Sequence, residues 1–321
     1  MGIMQKTKVQ TTSPQSPLYK RRSLGTILRK YWFIYLLVLP GFICVAVFSY
    51  APMYGILLAF KDYNYGKGIL GSDWAGFKYF QQMFSDSYFW KVVWNTVVIN
   101  LYNIAVGFTF TIFFALMLNE MKLRRTKKIA QTAVYLPYFL SWVVFAGLIR
   151  AFLDPQTGLI NTIITSMGGQ EVMFLTDNRY FRTVLVITNT IKEAGYDSIL
   201  YLAAIAGVNP ELYESAMLDG ANRYHMIRHI TLPRIYPTIA VLLLLRVSKL
   251  FASNFEQVFN LYSPMVYDTG DVISTYIYRI GMESSQYSMS TAVNLFASVL
   301  GLIILLVCNK AISKMDVMGI F

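Results

Sequence analysis

The chain has 321 residues, of which 55% are hydrophobic and 14% charged, with a net charge of +11 and a mean hydropathy of +0.46. Soluble domains carry about 25% charged residues, so the composition excludes an ordinary soluble protein and indicates an integral membrane protein. With two histidines, two cysteines and no Gly-rich phosphate-binding loop, the sequence predicts neither a metal centre nor ATP hydrolysis by this chain.

The N-terminal segment is polar, basic and without apolar periodicity, so we expect a cytoplasmic tail over residues 1–30 and a transmembrane domain over residues 31–321. A helix needs about 20 apolar residues to cross a hydrocarbon core of about 30 Å. Six runs meet this length and predict an all-α integral membrane protein with six transmembrane helices, at residues 34–58, 92–118, 129–152, 181–206, 235–259 and 290–309. The first run is too long for a signal peptide and is expected to be a retained span.

Aromatic side chains are dense between the first two runs, in residues 61–91. Such density at the end of a span is typical of an interfacial aromatic belt. A surface that receives a partner protein is the alternative interpretation.

Charged and amide side chains lie in the fourth and fifth runs, where lipid would not tolerate them. An ionisable group at the bilayer centre costs at least about 2.5 kcal/mol, so these side chains should face the protein interior or a watered cavity. One interpretation is an ion-pair network between the two spans, and the other is a polar pathway for a hydroxyl-rich solute. For residues on or just past the outer end of the fifth run, which include Asn254 and Glu256, caps or interhelical hydrogen bonds are a further alternative. The candidate pathway residues are Asn189, Lys192, Glu193, Tyr196, Asp197, Arg246, Lys249, Asn254 and Glu256.

Between these runs, residues 208–236 form a polar loop with helix signals. Asn209 can cap a helix that begins at Pro210, because proline lacks only an amide that has no partner there. Gly220 can end this helix, and Pro233 and Pro237 are expected to interrupt the chain before the fifth run. Periodicity alone leaves open an interfacial amphipathic helix or a helix that docks on a partner.

Lysine and arginine are concentrated in the N-terminal tail, in residues 122–128, in the loop of residues 208–236 and near the C-terminal end. The opposite loops hold more acidic than basic residues. Because cytoplasmic loops are enriched in cations, both termini and the loop of residues 208–236 should be cytoplasmic. This topology and anionic lipid account for the net charge, so no nucleic-acid partner is expected.

The same loop carries a spaced motif. Glu214-Ser215-Ala216 is followed after three residues by Gly220, and nine residues later by a segment that runs from Ile230 to Pro233. This order and spacing resemble the cytoplasmic signature loop of ABC-importer permeases, although Ser215 stands where that family usually has alanine. The resemblance implies an ATPase-coupling set of Glu214, Ser215, Ala216, Asp219, Gly220, Ile230, Leu232 and Pro233.

With residues 261–268 and 275–279, the chain resembles the carbohydrate-uptake importers of the maltose-type permease family, in the complex oligo- and polysaccharide branch. The resemblance implies a type I ABC importer permease fold, N-in/C-in, in a multi-pass protein of the bacterial plasma membrane. It also implies a second homologous permease, an ATPase subunit dimer that holds ATP and Mg²⁺, and an extracellular solute-binding protein that delivers carbohydrate. The chain itself would hold no cofactor and would be a transport subunit, not an enzyme.

Three alternatives remain at this point. The first is an ABC-importer permease for a non-sugar solute. An ion-coupled secondary transporter is the second, although no inverted repeat is evident. The third, a membrane-embedded enzyme, lacks a converging set of nucleophile, metal or acid and base.

Overall fold

The computed structural model describes residues 24–251 and 254–313, so most of the expected tail lies outside the described residues. The α-helices are α1 (Leu24–Val45), α2 (Gly68–Gly71), α3 (Lys78–Ser85), α4 (Ser87–Tyr102), α5 (Thr109–Glu120), α6 (Arg124–Phe139), α7 (Trp142–Leu153), α8 (Leu159–Ser166), α9 (Asn178–Ala206), α10 (Pro210–Leu218), α11 (Arg223–Met226), α12 (Leu232–Ser248), α13 (Phe255–Leu261), α14 (Tyr267–Gly270), α15 (Ile273–Tyr278) and α16 (Tyr287–Ser313). Two short strands, β1 (Lys61–Asp62) and β2 (Asp73–Trp74), pair antiparallel, with Lys61 opposite Trp74.

Several helices are joined end to end by segments of different pitch. Four segments are π-helical, and they cover Ala46–Tyr50, Asn103–Phe108, Ile227–Thr231 and Arg279–Glu283. Two segments are 3₁₀-helical, Ala51–Phe60 and Pro264–Val266. Because π turns occur mostly as local bulges inside α-helices, often at functional sites, α4 and α5 form one continuous helix with a bulge between them.

The chain divides into two compact units, Met1–Tyr54 and Gly55–Phe321. In the described part of the first unit, α1 is apolar and contains Pro40. The second unit holds α2 to α16 and both strands.

Within the described residues, four helices are long and apolar enough to cross a membrane: Lys30–Phe60, Ser87–Glu120, Arg223–Ser248 and Tyr287–Lys310. The pair α6 and α7 is a fifth candidate if the two helices form one broken span. With 29 residues, α9 extends about 44 Å, but its internal charges make it less apolar. Counting α9 would give the expected six spans, and this number stays a prediction.

The third expected span, residues 129–152, is not one straight helix, because the chain bends by 107° between α6 and α7. Pro137, near the end of α6, lacks an amide for the helix ladder. Leu140 and Ser141 then take extended backbone angles, with ψ of 139° and 153°. The Ser141 hydroxyl accepts a hydrogen bond from the Val144 amide at 3.3 Å and caps α7, so a new helix starts in a new direction.

The fifth expected span, residues 235–259, also differs. α12 ends at Ser248, and Asn254 has a left-handed backbone with φ of 79° before α13 begins. The expected interruption at Pro233 and Pro237 is wrong, because one helix runs through both prolines from Arg223 to Ser248. Pro233 lies in the first turn of α12, directly after the π-helical segment Ile227–Thr231, where the lost amide costs little.

The central helix of the second unit is α9, which packs against α4, α5, α6, α12 and α13. One buried cluster joins α9 to α4, α7 and α13, and includes Ile99, Ala146, Phe181, Leu185 and Val258. A second joins α5 to α9 and contains Phe108, Ala115 and Tyr201. A third joins α3, α4, α15 and α16 around Met83, Phe89, Val92, Ile273 and Val293. Apolar packing thus surrounds α9 on several sides, and its polar residues Asn189, Glu193 and Asp197 are half-buried among the helices.

Candidate functional site: a polar cavity and a loop with an exposed helix

A cavity of about 490 Å³ lies between α4, α5, α7, α9, α12 and α13. Its volume falls in the range of small-molecule sites, about 300–1,000 Å³. The polar residues that line it are Asn100, Asn103, Thr111, Asn189, Glu193, Asp197, Tyr201, Arg246, Lys249, Asn254, Glu256 and Gln257, together with Trp142.

Seven of the nine candidate pathway residues line this cavity: Asn189, Glu193, Asp197, Arg246, Lys249, Asn254 and Glu256. Asn189, Glu193 and Asp197 reach it from α9 because residues i, i+4 and i+8 share one helix face. Arg246 forms an ion pair with Asp197, and the exposed fractions of the two side chains are 27% and 29%. The ion pair joins α9 to α12, as an ion-pair network between the two spans requires. It also borders the cavity, as a polar solute pathway requires. The role of these residues in transport stays a prediction.

Lys192 and Tyr196 do not line this cavity but contact α6 and α7. The Lys192 ammonium donates to the carbonyl oxygens of Pro137, Tyr138 and Leu140 at 3.2, 3.0 and 2.5 Å. The Tyr196 ring stacks on Tyr138 with 3.8 Å between centroids and 4° between planes. Sequence spacing placed Lys192 on a neighbouring stripe of α9, but it could not indicate which helix that stripe faces.

Three amide side chains outside the candidate set, those of Asn100, Asn103 and Gln257, also line the cavity. Two of them, Asn103 and Gln257, have amide atoms without a hydrogen-bond partner among the described residues. Asn103 is 4% exposed, and neither atom of its amide has a hydrogen-bond partner among the described residues. Gln257 donates to the Leu185 carbonyl at 2.6 Å and to the Thr188 hydroxyl at 2.9 Å, while its Oε1 has no such partner. Buried amides are costly when unpaired, so these atoms are available to a polar solute or to water. In the sequence, polar residues at positions 96, 100 and 103 follow a helical period and could have signalled this face.

The segment that follows α12 is anchored to α4 by amides. Asn254 donates to Asn100 Oδ1 at 2.7 Å, and Asn100 donates to the Leu250 carbonyl at 2.8 Å. This is the interhelical hydrogen bond that the sequence analysis considered for Asn254 as an alternative to solute contact.

In the loop of residues 208–236, α10 begins and ends as the sequence predicted. Asn209 caps it by accepting from the Glu211 amide at 3.1 Å, with Pro210 in the first turn. At the other end Gly220 has φ of +79°, its amide donates to the Met217 carbonyl at 3.1 Å, and the Ala221 amide donates to the Ala216 carbonyl at 2.9 Å. These two bonds form a Schellman motif, which requires a left-handed residue at the position of Gly220.

The exposed surface of α10 is formed by its C-terminal half. Glu214, Ser215, Asp219 and Gly220 are exposed, Ala216 is half-buried, and Leu218 is 90% exposed. An exposed leucine next to carboxylates is consistent with a surface that a partner covers.

The remaining motif residues lie on the long helix that contains α12. Ile230 and Leu232 are half-buried and Pro233 is exposed. Two contacts hold the helices of the loop, one within the loop and one to the end of α5. The Tyr213 hydroxyl lies 2.9 Å from the Thr231 hydroxyl, and Arg223 pairs with Glu120 at the end of α5 at 3.1 Å. The loop is therefore held at both its first and second helices.

The aromatic-rich segment of residues 61–91 is partly core and partly surface. Phe89 is fully buried, whereas Trp74 and Phe77 are about two-thirds exposed. In β1, the Tyr79 hydroxyl donates to Asp62 at 2.8 Å and Lys78 pairs with it at 3.0 Å, and these partners hold the pKa of the Asp62 carboxyl below its usual value. The choice between an aromatic belt and a partner surface stays open.

Comparison with known proteins adds three findings. The sequence model of the family described as "Binding-protein-dependent transport system inner membrane component" matches residues 107–314. The polygalacturonan/rhamnogalacturonan transport system permease protein YteP of Bacillus subtilis is 39% identical over 302 residues, which is 94% of each chain. Protein LplB of the same organism is 38% identical over 298 residues, 93% of each chain.

Solved structures are similar over the same extent. In the crystal structure of a bacterial alginate ABC transporter in complex with an alginate pentasaccharide-bound periplasmic protein, one chain matches with a TM-score of 0.86 and 41% identity. The match covers 93% of this chain and 100% of that one. A second structure, of a bacterial ABC transporter that imports the acidic polysaccharide alginate, matches with a TM-score of 0.85 and 42% identity.

Proposed function

Because the chain belongs to the family of binding-protein-dependent transport system inner membrane components, we propose that it is the permease subunit of an ATP-driven importer that carries a carbohydrate, a complex oligosaccharide, across the cell membrane. Membership makes the chain a membrane transport subunit and not an enzyme. It also favours this function over an ion-coupled secondary transporter.

The observation that carries the proposal is the cavity of about 490 Å³, to which six helices contribute a mainly polar set of lining side chains. Carboxylates, amides, an arginine and a lysine can all exchange hydrogen bonds with hydroxyl groups. Trp142 adds an aromatic ring to the wall, and a ring of this kind can pack on the apolar face of a sugar. A hydrated, hydroxyl-rich solute fits this lining better than an apolar one.

The choice of carbohydrate rests on the relatives. YteP is named for polygalacturonan and rhamnogalacturonan transport, and the two similar solved structures are of alginate transporters. All three polymers are polysaccharides, so we assign an oligosaccharide substrate to this chain as well. A non-sugar solute is the alternative, and the uptake assay below distinguishes the two.

We assign six spans, with α9 as the fourth and the α6 and α7 pair as the third, and place both termini in the cytoplasm. The loop of residues 208–236 then faces the cytoplasm, where the exposed part of α10 docks on an ATPase subunit. Glu214 and Gly220 lie at the centre of this contact, and the other motif residues support it. Closure of the ATPase dimer on ATP moves α10, and the helices rock to open the cavity first outward and then inward.

The proposed partners are a second homologous permease, a pair of ATPase subunits and an extracellular solute-binding protein. One similar solved structure contains a periplasmic protein bound to an alginate pentasaccharide, which supports a delivering protein here. ATP and Mg²⁺ belong to the ATPase subunits, and this chain needs no cofactor of its own.

Uptake by cells that lack the chain, and by cells in which it is restored, tests the proposal. Oligosaccharides prepared from polygalacturonan and from alginate, a neutral oligosaccharide and an amino acid mixture serve as solutes. We expect restoration of uptake for at least one oligosaccharide and co-purification of the tagged chain with an ATPase. Uptake restored only for amino acids would refute the carbohydrate assignment, and uptake that persists after ATP depletion would refute the ATP-driven mechanism.

A further inference from the structure

The break between α6 and α7 interrupts the helical hydrogen bonds of the last carbonyl groups of α6 at the depth of a span. The Pro137 carbonyl keeps one backbone partner, the Leu140 amide at 3.3 Å, which leaves the carbonyl groups of Tyr138 and Leu140 to other donors. An α-helix leaves its last carbonyls unpaired, and in a bilayer core no water is at hand to satisfy them. At this break the Lys192 ammonium lies within 3.2 Å of three carbonyl oxygens, those of Pro137, Tyr138 and Leu140. An ammonium group has three donors and no acceptor, so three carbonyls satisfy it completely.

Electrostatics favour the same position. The C-terminal end of a helix carries a partial negative charge, and a cation placed there is stabilised. Three aromatic rings also surround the ammonium, with centroids at 5.3 Å for Trp142, 5.8 Å for Tyr138 and 5.9 Å for Phe145. The Lys192 residue is only 4% exposed, which accounts for a lysine in the middle of α9 without any contact with lipid.

Close packing of α9 on α6 brings Lys192 within reach of the break. Gly195 lies one turn after Lys192, and a Cβ added there would collide with the carbonyl group of Val134 in α6. Tyr196 stacks on Tyr138 in the same interface. The backbones of α9 and α6 are therefore in direct contact close to the point where the Lys192 ammonium binds the carbonyl groups.

The break adjoins one wall of the cavity. Trp142 is the first residue of α7, it lines the cavity, and its ring lies against Lys192. We propose that Lys192 is a positioning residue for transport: it fixes the bend between α6 and α7 and thereby holds Trp142 at the cavity wall. This inference rests on the proposed function in so far as the cavity carries the solute.

The bend can be measured without any solute. Ile129 and Phe152 are 70% and 47% exposed and lie near the outer ends of the two arms. In an unbroken helix, 23 residue steps would separate their backbones by about 35 Å, whereas a bend of 107° away from a straight line, between two arms of equal length, brings them to about 20 Å. Spin labels on Ile129→Cys and Phe152→Cys, in an assembled transporter with Cys44→Ser and Cys308→Ser, report this distance by electron–electron double resonance.

We expect a narrow distribution in the parent and in Lys192→Arg, and a broad distribution with added long distances in Lys192→Met. Lys192→Gln, which keeps two donors without the charge, should lie between them and replaces Lys192→Met if that variant does not reach the membrane. Lys128→Met is the matched control, because it removes a lysine from the exposed start of α6 and should leave the distribution unchanged.

ATP hydrolysis by the same assemblies tests the link to transport. Lys192→Met should keep the basal rate of ATP hydrolysis, because α10 is untouched. The stimulation of that rate by the solute-binding protein with its solute bound should be about tenfold smaller than in the parent. Lys192→Arg should restore most of it. If Lys192→Met, or Lys192→Gln where it replaces that variant, shows the parental distance distribution, Lys192 does not position the two helices. If the distribution broadens while the stimulation of ATP hydrolysis stays normal, the position of the helices does not matter for transport. Since the distance needs no solute, failure of the carbohydrate assignment would show only in the uptake assay.

Discussion

The ion pair between Asp197 and Arg246 joins two helices at the surface of a polar cavity, and its charges are not equivalent. Glu193 lies one turn before Asp197 on the same face of α9 and interacts electrostatically with Arg246 without forming an ion pair with it. Removing the cation leaves both acids facing each other, whereas removing Asp197 leaves Arg246 beside Glu193. The arrangement predicts different costs for the two single replacements.

Arg246→Gln is expected to lower the unfolding midpoint in detergent more than Asp197→Asn, with a cost of about 1–3 kcal/mol for a charge left unpaired. The double variant should unfold close to the parent, because no charge is then stranded. Thermal unfolding followed by size-exclusion chromatography measures all three. If the double variant also imports oligosaccharide at the parental rate, these two residues are structural and do not belong to the solute pathway.

At Gly220 the constraint is the backbone and not the surrounding space. A Cβ there would meet nothing within 4 Å, but φ is +79°, a conformation that costs other residues about 1–2 kcal/mol. We expect Gly220→Val to reach the membrane and yet lose uptake and co-purification with the ATPase. Asparagine tolerates a left-handed backbone, so Gly220→Asn is the control and should retain most of the activity. Parental uptake by the valine variant would contradict a coupling role for this helix end.

At the scale of the helices, α9 packs on the backbone of α6 at Gly195, where there is no room for a side chain. Gly195→Ala should destabilise the protein by about 1–3 kcal/mol, because the added methyl group forces the two helices apart. Gly147 in α7 has open space around its Cα, so Gly147→Ala is the matched control and should be neutral or slightly stabilising. Equal unfolding midpoints for the two variants would show that the α6 and α9 contact is not tight.

The small element formed by β1 and α3 contains an acid whose charge is stabilised in the fold. Tyr79 and Lys78 lower the pKa of the Asp62 carboxyl in the folded protein. The ionised carboxylate therefore stabilises the fold fully above its usual pKa of about 4, and this stabilisation is lost as the pH falls through the lowered pKa of the folded state. We expect Asp62→Asn to flatten the acid side of the stability profile between about pH 5 and pH 2. Unfolding midpoints across this range, for parent and variant, check the sign. A variant whose profile is as steep as the parent's would show that other groups cause the acid sensitivity.

For the whole molecule, the orientation in the membrane determines which loops face the cytoplasm. In a background without native cysteines, we expect single cysteines at Leu70 and Met265, which are 74% and 71% exposed, to react with an impermeant thiol reagent in intact cells. A cysteine at Leu123, which is 71% exposed in a cation-rich loop, should react only after permeabilisation. The reverse pattern would overturn the cytoplasmic placement of the termini and of the loop that contains α10.

Sequence was most informative where the responsible interaction is local. Asn209, Pro210 and Gly220 delimit α10 as predicted, because caps and left-handed turns depend on a few neighbouring residues. The spacing of Asn189, Glu193 and Asp197 placed three side chains on one face, and that face lines the cavity. The motif in residues 208–236 indicated the family that the comparisons confirm.

Local signals failed where helix continuity depends on contacts from elsewhere. Pro233 and Pro237 do not interrupt the helix, whereas the run containing Pro137 bends by 107°. At the bend, the carbonyl oxygen of Pro137 accepts a hydrogen bond from Lys192, which lies 55 residues further along the chain, so the local sequence around Pro137 does not contain this contact.

The sequence by itself determined the membrane class, the family, the ends of α10 and the polar face of α9, since each follows from composition or from spacing along a single helix. Only the tertiary structure decided that Lys192 and Tyr196 turn to α6, and that Asn103 and Gln257 join the cavity. It also decided which carboxylate pairs with Arg246. Which side chains meet depends on how helices distant in sequence pack together, and periodicity along one helix carries no information about the neighbour that each face receives.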